Sequence, residues 1–334
     1  MVRKLSIMLL MLSFIGCGAA GGSHGGDHNL PTAGVHPFMT EEEPIVSIPL
    51  TDLRHPSIVM DGNEAFWIYV LARKDERSSF MRIPHVPGES VDIESVVELN
   101  TDALGQWTDS PPKDLEVHYR DEEFLMVFIP GEGREVRFSS SSNGREWNPS
   151  NALPTVEETM LPGDFAPSAL SLFSNATSSS LWVLDAQAQR AVSLELSDDG
   201  ETWITREMPP IGDFGPEQTE PGLWEADGVS SLHVWEIKTV SNRIQSRMWY
   251  GGQRFAASGL IDGGIGFAGS WDGVEWIRSP DGPTVYHPGF GEKDPVKLDY
   301  GGSQYVYFSR FWKKEGDNRH VIGRARFQED LHSE

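Results

Sequence analysis

Ser270-Trp271-Asp272-Gly273-Val274-Glu275-Trp276 is one of three copies of a seven-residue turn. The others are Ser141-Ser142-Asn143-Gly144-Arg145-Glu146-Trp147 and Ser197-Asp198-Asp199-Gly200-Glu201-Thr202-Trp203. All three read Ser, any residue, Asp or Asn, Gly, any residue, Glu or Thr, Trp. The glycine takes a positive φ that side chains resist. The Asp or Asn and the Ser bond the turn's own backbone. The Trp starts the returning strand and covers the side of the next unit. Each copy is therefore read as a hairpin, and the recurrence as a radial or stacked array.

Working outward, five aromatic, strand-like runs begin at residues 66, 124, 181, 232 and 305. They are Phe66–Leu71, Phe124–Ile129, Leu181–Leu184, Leu232–Ile237 and Tyr305–Phe308. β-branched and aromatic residues at this density favour strands. Each follows a short turn, and before each turn stands another strand opening near a proline or an acid. The openings are His55-Pro56, Asp114-Leu115, Ala166-Pro167, Glu220-Pro221 and Asp294-Pro295. Five phased units predict an all-β fold, a five-bladed β-propeller of four-stranded antiparallel blades. The N-terminal strand, Ile45–Leu50, is expected to close the last blade. The fourth unit is longest, and 241–262 reads as an insertion. A β-sandwich would explain the strands but not their phasing.

Composition agrees with many strands and many turns. The 334 residues include 34 Gly, 22 Pro and 11 Trp, and no stretch carries a convincing helical period. A formal charge of −23 argues against nucleic acid and against docking on anionic lipid. The one cysteine permits no disulfide and no Cys/His zinc set. No phosphate loop and no loop with calcium-ligand spacing is present, and no cofactor or metal is assigned, although axial carboxylates leave calcium open.

The N-terminus has its own logic. Arg3 and Lys4 precede an apolar run, Leu5 to Gly16, too short to span a bilayer. Phe14-Ile15-Gly16-Cys17 resembles the bacterial lipobox, in which the cysteine is lipidated and becomes the new N-terminus. This implies a signal peptide over 1–16, a lipid on Cys17, and a Gly- and His-rich flexible tether over 17–44. The propeller then occupies 45–330. Gly18, rather than Asp, follows the cysteine, which by resemblance to the sorting rules of Gram-negative lipoproteins implies the outer membrane, with the membrane reached through the lipid alone. His24, His28 and His36 in the arm are read as having no metal role. A monomer is the default for an acidic domain on a tether.

The blade motifs resemble the five-bladed superfamily of arabinanases, levansucrases and invertases. The resembling stretches are His55-Pro56-Ser57-Ile58-Val59-Met60-Asp61-Gly62-Asn63, Glu220-Pro221-Gly222-Leu223-Trp224, Ile265 to Trp276, Lys293-Asp294-Pro295-Val296-Lys297-Leu298 and Ile322-Gly323-Arg324-Ala325. They span roughly residues 45–328. The Ser-x-Asp-Gly-x-x-Trp turns also resemble the Asp-boxes of six-bladed sialidases, but five aromatic runs favour five blades. The superfamily resemblance implies carbohydrate as the ligand and glycoside hydrolysis as the chemistry. It also implies carboxylates projecting from inner strands into an axial funnel.

A glycosidase sets one protonated and one ionised carboxyl across the scissile bond. On this reading Glu220 is the acid, since burial beside Trp224 would raise its pKa, and Asp114 is the base or nucleophile. Asp294 would orient sugar hydroxyls, with His55, Asp164 and Trp224 as further substrate contacts. Trp107, Trp271 and Trp312 are additional stacking candidates. One departure stands out. The superfamily usually opens its first blade with Asp-Pro, and that Asp is catalytic in many members; here the residues are Arg54-His55-Pro56. His55 cannot be a carboxylate nucleophile. A non-catalytic protein- or glycan-binding propeller is therefore the competing expectation.

Overall fold

In the computed structural model the described residues are 39–40, 44–75, 77–89, 91–101, 112–150, 153–174, 178–187, 189–208, 227–238, 244–256, 259–278, 283–286, 291–314 and 317–327. They form five antiparallel sheets, one per blade, and no α-helix. No helix among them is long and apolar enough to cross a membrane. The inner strands are Asp52–Met60, Asp114–Arg120, Ala169–Ser174, Val229–Lys238 and Lys293–Tyr300. Each is followed outward by the next strands of its own blade, and the sheets close into a five-bladed β-propeller.

The core explains why the second strands read as unbroken apolar runs. A blade is sandwiched between two others, so both faces of a strand must be apolar. In blade 3, Leu181 and Val183 pack toward blade 2, while Trp182 and Leu184 pack toward blade 4. Five hydrophobic clusters result, one at each blade junction. The fifth joins the last blade to the first through Leu53, Ile68, Val296, Tyr307 and Ile322.

The ring is closed by the N-terminal chain, though not by the segment anticipated. Met39–Thr40 pairs with the last strand, Asp317–Phe327, so the closing strand begins within the stretch read as tether. Ile45–Leu50 contributes a single bridge, Val46 to Ile322, and buries Ile45 and Val46 in the seam. Blade 4 also differs from expectation. Its aromatic run is the inner strand, and the supposed insertion supplies its second strand, Ile244–Ala256, and the start of the third, Gly259–Ser270. Glycines disguise these strands. A Cβ on Gly251 would sit 2.4 Å from Ser231 Oγ and 3.2 Å from Lys293 Cα, and one on Gly263 would meet Gly291 Cα at 3.2 Å. The chain entering blade 5 presses against them, so bare backbone is required.

The three repeated turns behave as their chemistry dictates. Gly144, Gly200 and Gly273 take φ of +68°, +73° and +72°. Gly273 N donates to Ser270 Oγ at 2.9 Å, and Asp272 Oδ1 accepts from Val274 N and Glu275 N. The tryptophans pack against the preceding blade, not the next. Trp147 lies in the junction of blades 1 and 2, Trp203 in that of 2 and 3, and Trp276 in that of 3 and 4. Two turns also dock backward through backbone carbonyls: Tyr69 OH donates to Gly144 O at 3.2 Å, and Trp182 Nε1 to Gly273 O at 3.0 Å.

Candidate functional site

Every inner strand exposes one backbone edge toward the axis, and those amides need partners. Side chains of the preceding blade supply them. Ser57 accepts from Val117 N at 2.8 Å. Asp114 Oδ2 accepts from Leu170 N at 2.8 Å, and Glu116 Oε2 from Leu172 N at 2.6 Å. Ser171 accepts from Val234 N at 2.9 Å, and Ser231 from Asp294 N at 2.8 Å. Ser309 accepts from His55 N at 3.1 Å and completes the circuit. A polar hub thus ties all five blades together inside the apolar wheel.

A small cavity of about 20 Å³ lies on this axis, space for about one water. It is lined from all five inner strands, with His55, Asp114, Glu116, Ser231, His233 and Asp294 as its polar wall. His55 and Asp294 are placed by the same local device. Both precede a proline, both adopt a left-handed backbone with φ of +50° and +52°, and both sit at a break in strand register. The residue before a proline is normally pushed to extended conformations, so each is held there by its surroundings. The bulge swings the side chain out of the strand's alternation and toward the axis.

His55 Nδ1 lies 2.8 Å from Asp114 Oδ1 and 3.6 Å from Asp294 Oδ1. Both are ion-pair contacts, the shorter one within hydrogen-bonding distance. Burial presses the His55 pKa down, but Asp294 and then Asp114 outweigh it, and the net shift is upward. Burial raises Asp114, and the opposing pull of His55 does not cancel it. Burial works upward on Asp294 as well, yet His55, Lys293 and the Ser309 hydroxyl hold it at about 2.

A second tier adjoins the first. Glu116 Oε1 lies 3.2 Å from His233 Nδ1 of blade 4, and Oε2 lies 3.6 Å from His118 Nε2. Burial again works upward, but His118 and then His233 bring Glu116 down to about 2. The two groups mirror each other, with one imidazole between two Asp in the first and one Glu between two imidazoles in the second. Glu116, His118 and His233 were not anticipated from the sequence. The signal was present: Asp114-Leu115-Glu116-Val117-His118 alternates polar and apolar with period two, which puts three ionisable groups on one face of a strand.

The anticipated residues divide as follows. His55, Asp114 and Asp294 come together at the hub. Asp164 does not; it is exposed, and its carboxylate pairs with Arg190 Nη1 at 2.7 Å. The reason is local, because Arg190 also pairs with buried Asp185 and draws Asp164 outward from the blade opening. Glu220, Trp224, Trp107 and Cys17 lie outside the described residues. Trp271 belongs to the blade 4 turn, and Trp312 to the second strand of blade 5. Among the described residues no group of three or more His, Cys, Asp or Glu is arranged to hold a metal ion.

The geometry can now be set beside known proteins. A thermostable family-43 glycoside hydrolase superposes with a TM-score of 0.60 at 13% identity, over 86% of this chain and 93% of that one. The fold is that of five-bladed glycoside hydrolase propellers. A xylan β-1,4-xylosidase from Bacillus halodurans matches with a TM-score of 0.55 at 13% identity, over 84% of this chain and 53% of the longer enzyme. An N-acetylgalactosamine deacetylase from F. plautii, solved with blood group B trisaccharide, matches at 0.53 with 15% identity, over 87% and 94%. No protein-family model and no curated protein matches the sequence. At these identities the likeness concerns the fold.

Proposed function

We propose that the protein engages carbohydrate at the axial mouth of the propeller and is carried outside the cytoplasm, at the outer membrane, by a lipid on Cys17. The observation that carries this reading is the convergence of Asp114 from blade 2 and Asp294 from blade 5 on one imidazole at the axis. Strained backbone, perturbed carboxyls and a cavity coincide there, which is the usual company of a working site. The fold shared with glycoside hydrolases supports the choice of sugar as ligand.

Whether the sugar is cut depends on the carboxyls. Their environments push Asp114 up and Asp294 down, as an acid and its partner require. Inverting enzymes, however, hold their carboxyls about 6.5–9.5 Å apart and retaining enzymes about 5–5.5 Å, with the scissile bond between. Here the His55 ring occupies that space, and both Asp114 oxygens already accept backbone amides. This favours a second reading, a propeller that binds glycans without cleaving them. Hydrolysis would instead draw on Glu220 as the acid.

The test is a glycan array probed with the full-length protein, followed by assay of sugar release from each bound glycan. Binding that weakens at least tenfold in Asp294→Asn supports the axial mouth. Release that disappears in Glu220→Gln establishes hydrolysis, and binding without release establishes the second reading. Absence of any glycan binding, alongside capture of a protein partner, removes carbohydrate from consideration.

A further inference from the structure

The seam between blades 5 and 1 is where the chain closes on itself, and an unusual set of charges sits across it. His55 belongs to blade 1 and bonds Ser309 of blade 5 through its backbone. Its ring stands between Asp294 of blade 5 and Asp114 of blade 2. We propose that His55 is a protonation-dependent clamp on the propeller ring: as an imidazolium it holds blades 1, 2 and 5 together at the hub, and loss of its proton loosens the seam. The inference concerns the wheel itself and does not rest on the sugar reading.

Asp114 and Asp294 have both been taken out of water, with side chains 10% and 6% exposed. Two buried carboxylates facing one another repel strongly unless a cation lies between them. Lys293 and Arg54 flank the cluster on the inner strands of blades 5 and 1, and each acts on it electrostatically. Arg54 is engaged with Asp52 through Nε at 2.7 Å. Asp52 in turn takes His320 of the last strand, through its backbone amide and its Nδ1, both at 2.7 Å. Glu116 and His233 share the cavity wall but are committed to each other. The imidazole is therefore the group in contact with both aspartates across the closing seam.

The sign follows from linkage. A histidine whose folded pKa exceeds 6.5 contributes stability that is complete below that value and disappears as pH climbs through the raised one. Asp294, held at about 2, contributes stability that disappears only as pH falls from its ordinary 3.8 toward 2. Asp114, raised by burial, works in the same direction, since its ionisation above 3.8 leaves two carboxylates that need the imidazolium. The clamp opens as pH climbs above 6.5 through the raised His55 value, the alkaline step.

The experiment is thermal unfolding of the full-length protein between pH 5.5 and 9.5. It is paired with an NMR titration of the wild-type histidine ring carbons and amide exchange of residues 52–60 and 293–300. Wild type should lose about 5 °C or more across the alkaline step, with faster exchange in both inner strands. The His55 imidazole should titrate above 6.5. His55→Gln should melt lower at pH 6 and show no step, and Asp114→Asn/Asp294→Asn should also show none. An alkaline step that persists in His55→Gln overturns the clamp, as does a wild-type melting point flat with pH. Should His55→Gln fail to fold, wild-type titration and amide exchange decide together: a His55 ring that titrates below 6.5, or exchange in 52–60 and 293–300 that does not quicken as the ring loses its proton, overturns the proposal, and the two moving together sustain it.

Discussion

At the scale of single residues, the hub is governed by what lies between like charges. Glu116 is a clear case: it is buried, it accepts from Leu172 N, and two imidazoles bring it from an ordinary 4.5 to about 2. A carboxyl depressed in this way contributes stability above its unfolded pKa and loses it as pH falls through the folded one. Glu116→Gln should therefore cost about 2–3 kcal/mol at pH 7. The variant and wild type should converge near pH 2, a comparison that denaturant titration at several pH values makes directly. Equal stability at pH 7 would mean that the second tier holds nothing. Sequence reading reached half of this site. An acid or histidine beside a blade-opening residue is visible as a dipeptide, so His55, Asp114 and Asp294 were found. His233 was missed because its pairing with Glu116 exists only across the axis, between residues more than a hundred positions apart, whereas Glu116 and His118 lay in a period-two alternation that was passed over.

At the scale of elements, the repeated turn is one sequence put to two uses. Gly144 and Gly200 have the same backbone conformation, but their surroundings differ. A Cβ on Gly144 would lie 2.4 Å from Tyr69 Oη and 2.9 Å from Arg82 Nη1, while one on Gly200 meets nothing within 4 Å. Arg82 is itself pinned, stacked 3.5 Å over the Trp67 ring and bonded to Asn143 O at 2.5 Å. Gly200→Ala should cost only the left-handed penalty of about 1–2 kcal/mol. Gly144→Ala adds overpacking against a fixed pair and should exceed it by at least about 1–3 kcal/mol, as chemical unfolding of the two variants would show. Similar losses would mean that the blade 2 turn is not docked. The heptapeptide itself announced the hairpin, the glycine and the self-bonded Ser and Asp. It did not announce the partner, because docking depends on residues such as Tyr69 and Trp182 on a different blade. Blade 4 was misread for a related reason: its glycines serve the approach of blade 5, and glycine in isolation reads as loop.

At the scale of the molecule, stability is shared around a circuit. Each junction carries one apolar cluster and at least one side chain bonded to the next inner strand. Ser57→Ala leaves Val117 N without its partner, and Ser171→Ala does the same to Val234 N. Each should cost about 1–3 kcal/mol despite removing a single oxygen. The two serines serve different junctions and share no partner, so the double variant should equal their sum within about 0.5 kcal/mol. A large departure from additivity would show that strain at one junction passes to its neighbours.

The closing strand has a mechanical corollary. Met39 stands opposite Arg326 and Thr40 opposite Ala325, so the first described residues pair with the end of the final strand. A pull on the arm reaches the propeller first at two paired residues and then at the Val46 bridge. Ile45 and Val46, packed in the seam of blades 5 and 1, take the load next. On the proposed lipid anchoring through Cys17, attachment and ring closure would be fastened at this one pair of strands.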